Sequence, residues 1–347
     1  MPSSPAAPDP RDADERPALI LANLGTPAEP RPRAVRSFLR EFLSDRRVVE
    51  THPLLWRPVL EGIILRVRPR ASAAKYATVW RPGEETSRSG SPLMHYSERQ
   101  GELLQQELGE SVQVRIAMRY GQPALRRVMG ELMEAGCRRI ALLPLYPQYA
   151  ASSAGTVVDE AARFILASRN QPELRTVRSF ETAPAYIEAL ATALEQHWRV
   201  HGRPDPAAGE RLLLSFHSIP QAMHDAGDPY RAECERTVEL LSQRLNLSDG
   251  LAQLTFQSVF GPAAWIGPAT IDAVGELGSA GCPRLDVICP GFLSDCLETL
   301  EEINQLNRET FTTAGGGSFH YIPWGNDSDG AIATLAEQAR NVLAGWI

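Results

Sequence analysis

The stretch Gly130-Glu131-Leu132-Met133-Glu134-Ala135-Gly136-Cys137-Arg138-Arg139 returns in outline as Gly275-Glu276-Leu277-Gly278-Ser279-Ala280-Gly281-Cys282-Pro283-Arg284. Each copy closes a helix on a Gly turn and runs into an apolar strand that ends at a proline, Ile140-Ala141-Leu142-Leu143-Pro144 in one case and Leu285-Asp286-Val287-Ile288-Cys289-Pro290 in the other. The opening half of a βαβ unit recurs as well, because 18–27 (ALILANLGTP) parallels 211–220 (RLLLSFHSIP) and sets Leu24 opposite His217. A chain made of two related α/β halves binds its ligand in the cleft between them, beyond the carboxyl ends of the strands. The duplication therefore locates a site at His217 before any motif is considered.

The two pairings are out of step. Ala18 to Arg211 is an offset of 193 and Arg139 to Arg284 only 145, so the first half is longer by about 48 residues. The extra length falls in 45–92, where Leu54, Leu55, Trp56, Val59, Leu60, Ile63, Ile64, Leu65 and Val67 alternate with Arg57, Arg66, Arg68 and Arg70. Spacings of three and four predict an amphipathic helix. Two readings of it stand: core packing of an added helix, or a lip over the cleft, residues 54–70, that meets an apolar ligand or a membrane surface.

Strand and helix alternate along the rest of the chain, which predicts parallel sheets in a doubly wound arrangement used twice. Residues 1–17, rich in Pro, Ala and Asp, read as a disordered tail; 18–200 form the first half with its inserted lip, 201–210 a linker and 211–347 the second half. A net charge of −7 with no basic face argues against nucleic acid as a partner. No run approaches the length of a membrane span and no secretion signal is evident, so a cytoplasmic protein with reduced thiols is expected. Among the five cysteines, the step of seven from Cys282 to Cys289 to Cys296 could belong to an iron–sulfur cluster. Cys282 matches Cys137 as a turn residue and Cys289 lies in a strand, so they are read as core thiols instead.

Chemistry concentrates where two strands of the second half end. His217 follows a buried strand and should lie at the cleft mouth. Asp295, Glu298 and Glu302 share one face of a helix predicted over 295–306, with Asp295 as N-cap and Glu298 at N3 in a capping box. Capping does not call for the repelling pair Glu298 and Glu302, four apart, with no basic residue before Arg308. An imidazole across a cleft from a carboxylate row suits a borderline divalent ion such as Fe²⁺ and the acceptance of protons as the metal arrives. Metal insertion into a porphyrin, which releases two pyrrole N–H protons, is such a reaction.

At these residues the chain resembles the ferrochelatase family, from about residue 18 onward. The matching stretches are Asn23-Leu24-Gly25-Thr26-Pro27, Leu39-Arg40-Glu41-Phe42-Leu43-Ser44-Asp45, Gly90-Ser91-Pro92-Leu93, Met118-Arg119-Tyr120-Gly121, Leu145-Tyr146-Pro147-Gln148-Tyr149, Ser215-Phe216-His217-Ser218-Ile219-Pro220, Gly227-Asp228-Pro229-Tyr230, Phe256-Gln257-Ser258, Trp265-Ile266-Gly267-Pro268 and Asp295-Cys296-Leu297-Glu298-Thr299-Leu300. The resemblance implies two Rossmann-like domains with an interdomain cleft, Fe²⁺ and protoporphyrin IX as substrates, protohaem as product, and a cytoplasmic location, peripheral to the inner face of the membrane if the lip binds lipid. It implies metal ligation and proton handling by His217 and Glu298, with Asp295 and Glu302 as an acidic relay, and a porphyrin pocket lined by Tyr76, Ser91, Arg119, Tyr120 and Trp265. His95, His224 and His320 read as surface or core residues.

Three departures bear on this. Val259 stands where many relatives carry a basic residue, Cys296 replaces the histidine of animal enzymes, and Leu24 occupies the position where the branch that metallates coproporphyrin carries a tyrosine. The last favours protoporphyrin. With 345–347 reading Gly-Trp-Ile and no cysteine-bearing tail, neither a resident cofactor nor a [2Fe–2S] cluster is expected. Two other functions fit the cleft: a chelatase of a sirohydrochlorin-type ring, whose members carry paired histidines, and a non-catalytic porphyrin or haem carrier.

Overall fold

A computed structural model of the chain describes residues 14–347. Most of the expected tail, 1–13, lies outside the described residues. Its last part is docked, not free: the Asp14 N–H donates to Ala135 O at 2.9 Å and Arg16 donates to Glu110 O at 2.9 Å.

The first half runs β1 (Ala18–Asn23), α1 (Pro32–Leu43), α2 (Pro53–Val59), a π-turn (Leu60–Ile64), α3 (Leu65–Val79), α4 (Pro92–Leu108), β2 (Gln113–Met118), α5 (Leu125–Glu134), β3 (Arg139–Pro144), α6 (Ala154–Ala167), β4 (Glu173–Thr176) and α7 (Pro184–His201). The second half runs β5 (Arg211–His217), α8 (Gln221–Asp225), α9 (Tyr230–Leu245), β6 (Ala252–Gln257), α10 (Thr270–Ser279), β7 (Arg284–Ile288), a π-helix (Glu298–Asn307), α11 (Arg308–Thr313), β8 (Ser318–Ile322) and α12 (Asp329–Leu343). Both sheets are four-stranded and parallel, in the orders β2-β1-β3-β4 and β6-β5-β7-β8. The duplication read from the sequence is thus a duplication of topology. It reaches atomic detail at the helix-to-strand turns, where the Cys137 thiol donates to Arg139 O at 3.4 Å and the Cys282 thiol to Arg284 O at 3.1 Å.

Strand β1 is buried throughout and so is the interior of β5, as strands covered by helices on both faces must be. Each is the strand from which the order switches direction, so the residues after β1 and β5 open into the crevice that such a switch leaves. His217 is the last residue of β5.

Two of the quoted motifs turn out to clamp the halves together. Gln148 Nε2 donates to Thr237 Oγ1 at 2.9 Å, the Tyr149 N–H donates to Glu233 at 2.7 Å and the Ala151 N–H to Asp228 at 2.7 Å. Tyr186, fully buried on α7, donates its hydroxyl to Pro290 O at 3.0 Å. Helix α12 returns to the first half, where its Glu337 accepts from the Ala185 N–H at 3.0 Å and Arg175 donates to Ala344 O at 2.8 Å just beyond it. The floor of the crevice is thereby held on both sides, a condition for side chains from separate sheets to meet in one geometry.

The inserted segment is two helices, α2 and α3, joined by the π-turn. Leu60 and Leu65 pack against Leu43, with Trp56 and Ile64 beside them. The remaining apolar positions face solvent: Leu54 is 76% exposed, Leu55 70%, Ile63 58% and Val67 69%. Core packing therefore accounts for only part of the stripe. The segment reaches the second half, with Lys75 Nζ 2.8 Å from Glu301 of the π-helix and the Arg68 guanidinium 5.0 Å from the Phe260 ring centre.

Candidate functional site

Strands β5 and β6 end side by side, with His217 paired to Gln257 in register. Gln257 is buried and spends its amide on both neighbours: its Oε1 accepts from Ser215 Oγ at 2.8 Å, and its Nε2 donates to Glu298 O at 2.8 Å. The next residue, Ser258, has φ +65, a left-handed conformation uncommon outside glycine. That turn directs its N–H to Glu302 Oε1 at 2.6 Å and its hydroxyl to Glu302 Oε2 at 2.5 Å. Two residues at the end of β6 thus fasten the π-helix beside His217. Sequence reasoning quoted Gln257 and Ser258 as part of a motif but gave them no role, since neither residue type carries the chemistry itself.

His217 Nδ1 lies 2.6 Å from Ser218 O. A carbonyl only accepts, so Nδ1 carries the hydrogen, and Nε2 of the neutral ring is left with its lone pair. Burial pushes the Glu302 carboxyl up from its ordinary value; the Ser258 bonds and the field of His217 pull it back, and the Glu298 charge adds to the rise. On α3, the Tyr76 hydroxyl is raised far above its ordinary value by burial and then by Glu298 and Cys296. Tyr146, just past β3, is raised far above its ordinary value by burial, with Arg119 opposing the rise and Glu298 adding to it. Its hydroxyl is buried and has no hydrogen-bond partner among the described residues, a polar group left for water or ligand to satisfy.

The helix predicted over 295–306 takes a different form. It starts at Glu298 and winds as a π-helix to Asn307, so Asp295 precedes it and makes no capping box with Glu298. Asp295 is buried, and its carboxylate accepts from Thr299 Oγ1 at 2.7 Å, Asn326 Nδ2 at 2.7 Å and the Tyr321 hydroxyl. Three donors around one carboxylate anchor the start of the π-helix to β8 and the loop after it. Glu298 and Glu302 remain neighbours in the wider winding, and π-helical segments are frequent where function requires unusual side-chain placement.

Of the residues expected to line the pocket, Tyr76 lies on α3, edge-on to Trp80 at 6.2 Å between ring centres. Arg119 ion-pairs with Asp45 and donates to Thr156 O at 2.9 Å, while Tyr120 donates to Asp45 at 3.0 Å beneath the Arg119 guanidinium. Both are thereby committed to an internal acid. Ser91 Oγ accepts from Thr26 Oγ1 at 2.8 Å and is buried. Trp265, in the loop before α10, pairs with Pro220 and donates to Phe260 O at 2.9 Å. The five cysteines are buried free thiols; the Cys296 thiol is pushed up by burial and by Glu298.

The raised Glu302 carboxyl yields a prediction. A carboxyl whose folded-state pKa lies above its unfolded one favours folding while protonated and loses that advantage as pH rises through the folded value. Glu302→Gln is therefore expected to be more thermally stable than the parent at pH 8 and indistinguishable from it at pH 4. Equal midpoints at both would show that the Ser258 bonds offset the burial.

The chain matches the family model described as Ferrochelatase over residues 16–343. It is 49% identical over 332 residues to the ferrochelatase of Dechloromonas aromatica (strain RCB), covering 95% of this chain and 88% of that protein. Against the ferrochelatase of Aromatoleum aromaticum the identity is 48% over 337 residues, covering 96% and 89%. Among solved structures it is similar to SirB from Bacillus subtilis with Fe³⁺, with TM-score 0.53 at 14% identity over 73% of this chain and 92% of that one. CbiX, the terminal enzyme for biosynthesis of sirohaem in denitrifying bacteria, superposes with TM-score 0.50 at 16% identity over 95% and 100%. At such identities the two structures speak for the shared fold alone.

Proposed function

This chain belongs to the ferrochelatase family and inserts Fe²⁺ into a porphyrin for haem synthesis, and from that premise we propose that the porphyrin is protoporphyrin IX and that His217 and the π-helix carboxylates perform the insertion. What supports the reading is that Gln257, paired with His217 in register, and Ser258 fasten the π-helix of Glu298 and Glu302 beside that histidine. His217 Nε2, with its lone pair free, accepts the pyrrole protons as they leave. The Glu298 carboxylate takes Fe²⁺ as it sheds water, replacing lost hydration with a fixed negative charge. Glu302, whose carboxyl protonates more readily than usual, passes protons outward. Asp295, tied to three donors, holds the π-helix in place. Two N–H protons leave and one dication enters, so the ring's total charge does not change. Leu24, in the place of the tyrosine of the coproporphyrin branch, supports protoporphyrin. No resident cofactor or cluster belongs to this reading.

The test is an anaerobic assay that follows loss of free porphyrin fluorescence on adding Fe²⁺ or Zn²⁺, with protoporphyrin and coproporphyrin side by side. Faster loss with protoporphyrin is expected. Preference for coproporphyrin would overturn the substrate assignment, and binding without any loss would mark a carrier.

Among the described residues no helix is long and apolar enough to cross a membrane. The exposed Leu54, Leu55, Ile63 and Val67, interspersed with Arg57, Arg66 and Arg70, fit a lip that rests on an anionic lipid surface of the cytoplasmic face and draws an apolar ring from it. Replacing those four apolar residues by serine is expected to abolish flotation of the protein with phosphatidylglycerol-containing vesicles without lowering its thermal stability. Unchanged flotation would remove the lip from that role.

A further inference from the structure

A second cluster lies at the other end of the second sheet. Helix α7 ends in His197-Trp198-Arg199-Val200-His201, two histidines one turn apart on the same face. Their rings stack at 4.4 Å, and the ring of His320, from β8, lies 4.9 Å from the first and 4.7 Å from the second. Beneath them sits the carboxylate of Asp286 on β7, fully buried. Its Oδ1 is 3.0 Å from His320 Nδ1 and 3.7 Å from His197 Nε2.

We propose that His197, His320 and Asp286, whose ligand atoms all lie within 4.8 Å of one another, form a second divalent-metal site, suited to zinc or another borderline ion, with the His201 ring stacked on His197 beside it. Two ligands 2.0–2.1 Å from one tetrahedral ion lie roughly 3.3 Å apart, and the two oxygen-to-nitrogen separations bracket that figure. An ion inserted there displaces the proton His320 now shares with Asp286 and takes up the lone pair of His197. That nitrogen has the unmet need: His197 Nε2 is buried and has no hydrogen-bond partner among the described residues. Second contacts orient Asp286, since Arg284 grips both its oxygens at 2.9 and 2.7 Å and Trp198 Nε1 donates to it at 2.9 Å. Arg284 neutralises the carboxylate, so the imidazoles carry most of the affinity. His201 is exposed and gives an ion access from solvent.

The site is separate from the crevice. Asp286 pairs with Leu212 at the start of β5, five residues before His217, which is about 16 Å along the strand at ~3.3 Å per residue. It joins α7 to the second sheet, so its ion would brace the helix that also buries Tyr186 between the halves.

The experiment uses Zn²⁺ alone on the full chain stripped with a chelator. The variant with His197→Gln and His320→Gln is expected to bind one zinc fewer per chain than the parent, and to lose the rise of a few degrees in Tm that the parent shows at a hundredfold excess over Kd. Fe²⁺ insertion should continue in it at the parent rate, which separates this site from the crevice. Should that pair fail to fold, His201→Gln at the exposed helix end is expected to weaken zinc binding roughly tenfold or more, and Co²⁺ in the parent should give the intense visible bands of a four-coordinate site. Equal zinc stoichiometry and Tm response in parent and variants would overturn the proposal.

Discussion

Replacing Glu298 by Gln is expected to lower the rate of metal insertion by about 10²–10⁴-fold while porphyrin affinity stays near that of the parent. The substitution keeps shape and hydrogen-bonding capacity and removes only the charge, and the backbone carbonyl of residue 298 keeps its bond from Gln257. The π-helix therefore stays in place, as does the Ser258 clasp on Glu302. What is lost is the negative field into which Fe²⁺ sheds its water. His217→Ala should cost a similar factor for a different reason, the loss of the Nε2 lone pair, and added imidazole should restore part of the rate for that variant and none for Glu298→Gln. Porphyrin fluorescence read under anaerobic conditions supplies the rates, and its quenching on titration supplies the affinity. Turnover unchanged in Glu298→Gln would take that carboxylate out of the mechanism; turnover lost together with porphyrin affinity would make it a binding residue.

The second large effect is expected at Gly25, in the turn after β1. Its φ is +108, and a Cβ built there would come 1.8 Å from Tyr120 O. The neighbouring backbone cannot yield easily, because the Arg119 N–H donates to Asn23 O and the Tyr120 N–H to Leu24 O, both at 2.8 Å. Relief of the clash must push away the segment whose Arg119 and Tyr120 meet Asp45 as buried partners. Gly25→Ala is thus expected to destabilise the fold by about 3–5 kcal/mol, the sum of backbone strain and a disturbed ion pair. A fall in Tm on the order of 10 °C would register it. Retention of the parent's stability would mean that the turn tolerates a shift these bonds argue against.

Both predictions rest on contacts of unequal visibility. The place of His217 follows from alternating apolar strands and from the copy of the same unit earlier in the chain, both local properties. The acidity of the segment from Asp295 to Glu302 is equally plain in the text. Its winding is not: an α-helix and a π-helix need the same residue types, and the choice here accompanies Asp295's contacts with Tyr321 and Asn326 and the hold of Gln257 and Ser258 on Glu298 and Glu302. The capping box expected from Asp295 and Glu298 loses for that reason. His320 was similarly opaque, since its partners come from α7 and β7.

By itself, then, the sequence determined the two-fold α/β plan, the strand ends where chemistry could gather and the residue types available there, because hydrophobic periodicity and turn residues act over a few positions. Only the tertiary structure decided that Asp295 is spent on anchoring, that Arg119 answers to Asp45, and that the imidazoles of His197 and His320, far apart in the chain, meet at one buried carboxylate. Those outcomes depend on desolvation and on hydrogen-bond partners brought together from far along the chain, and neither is written in any local stretch of residues.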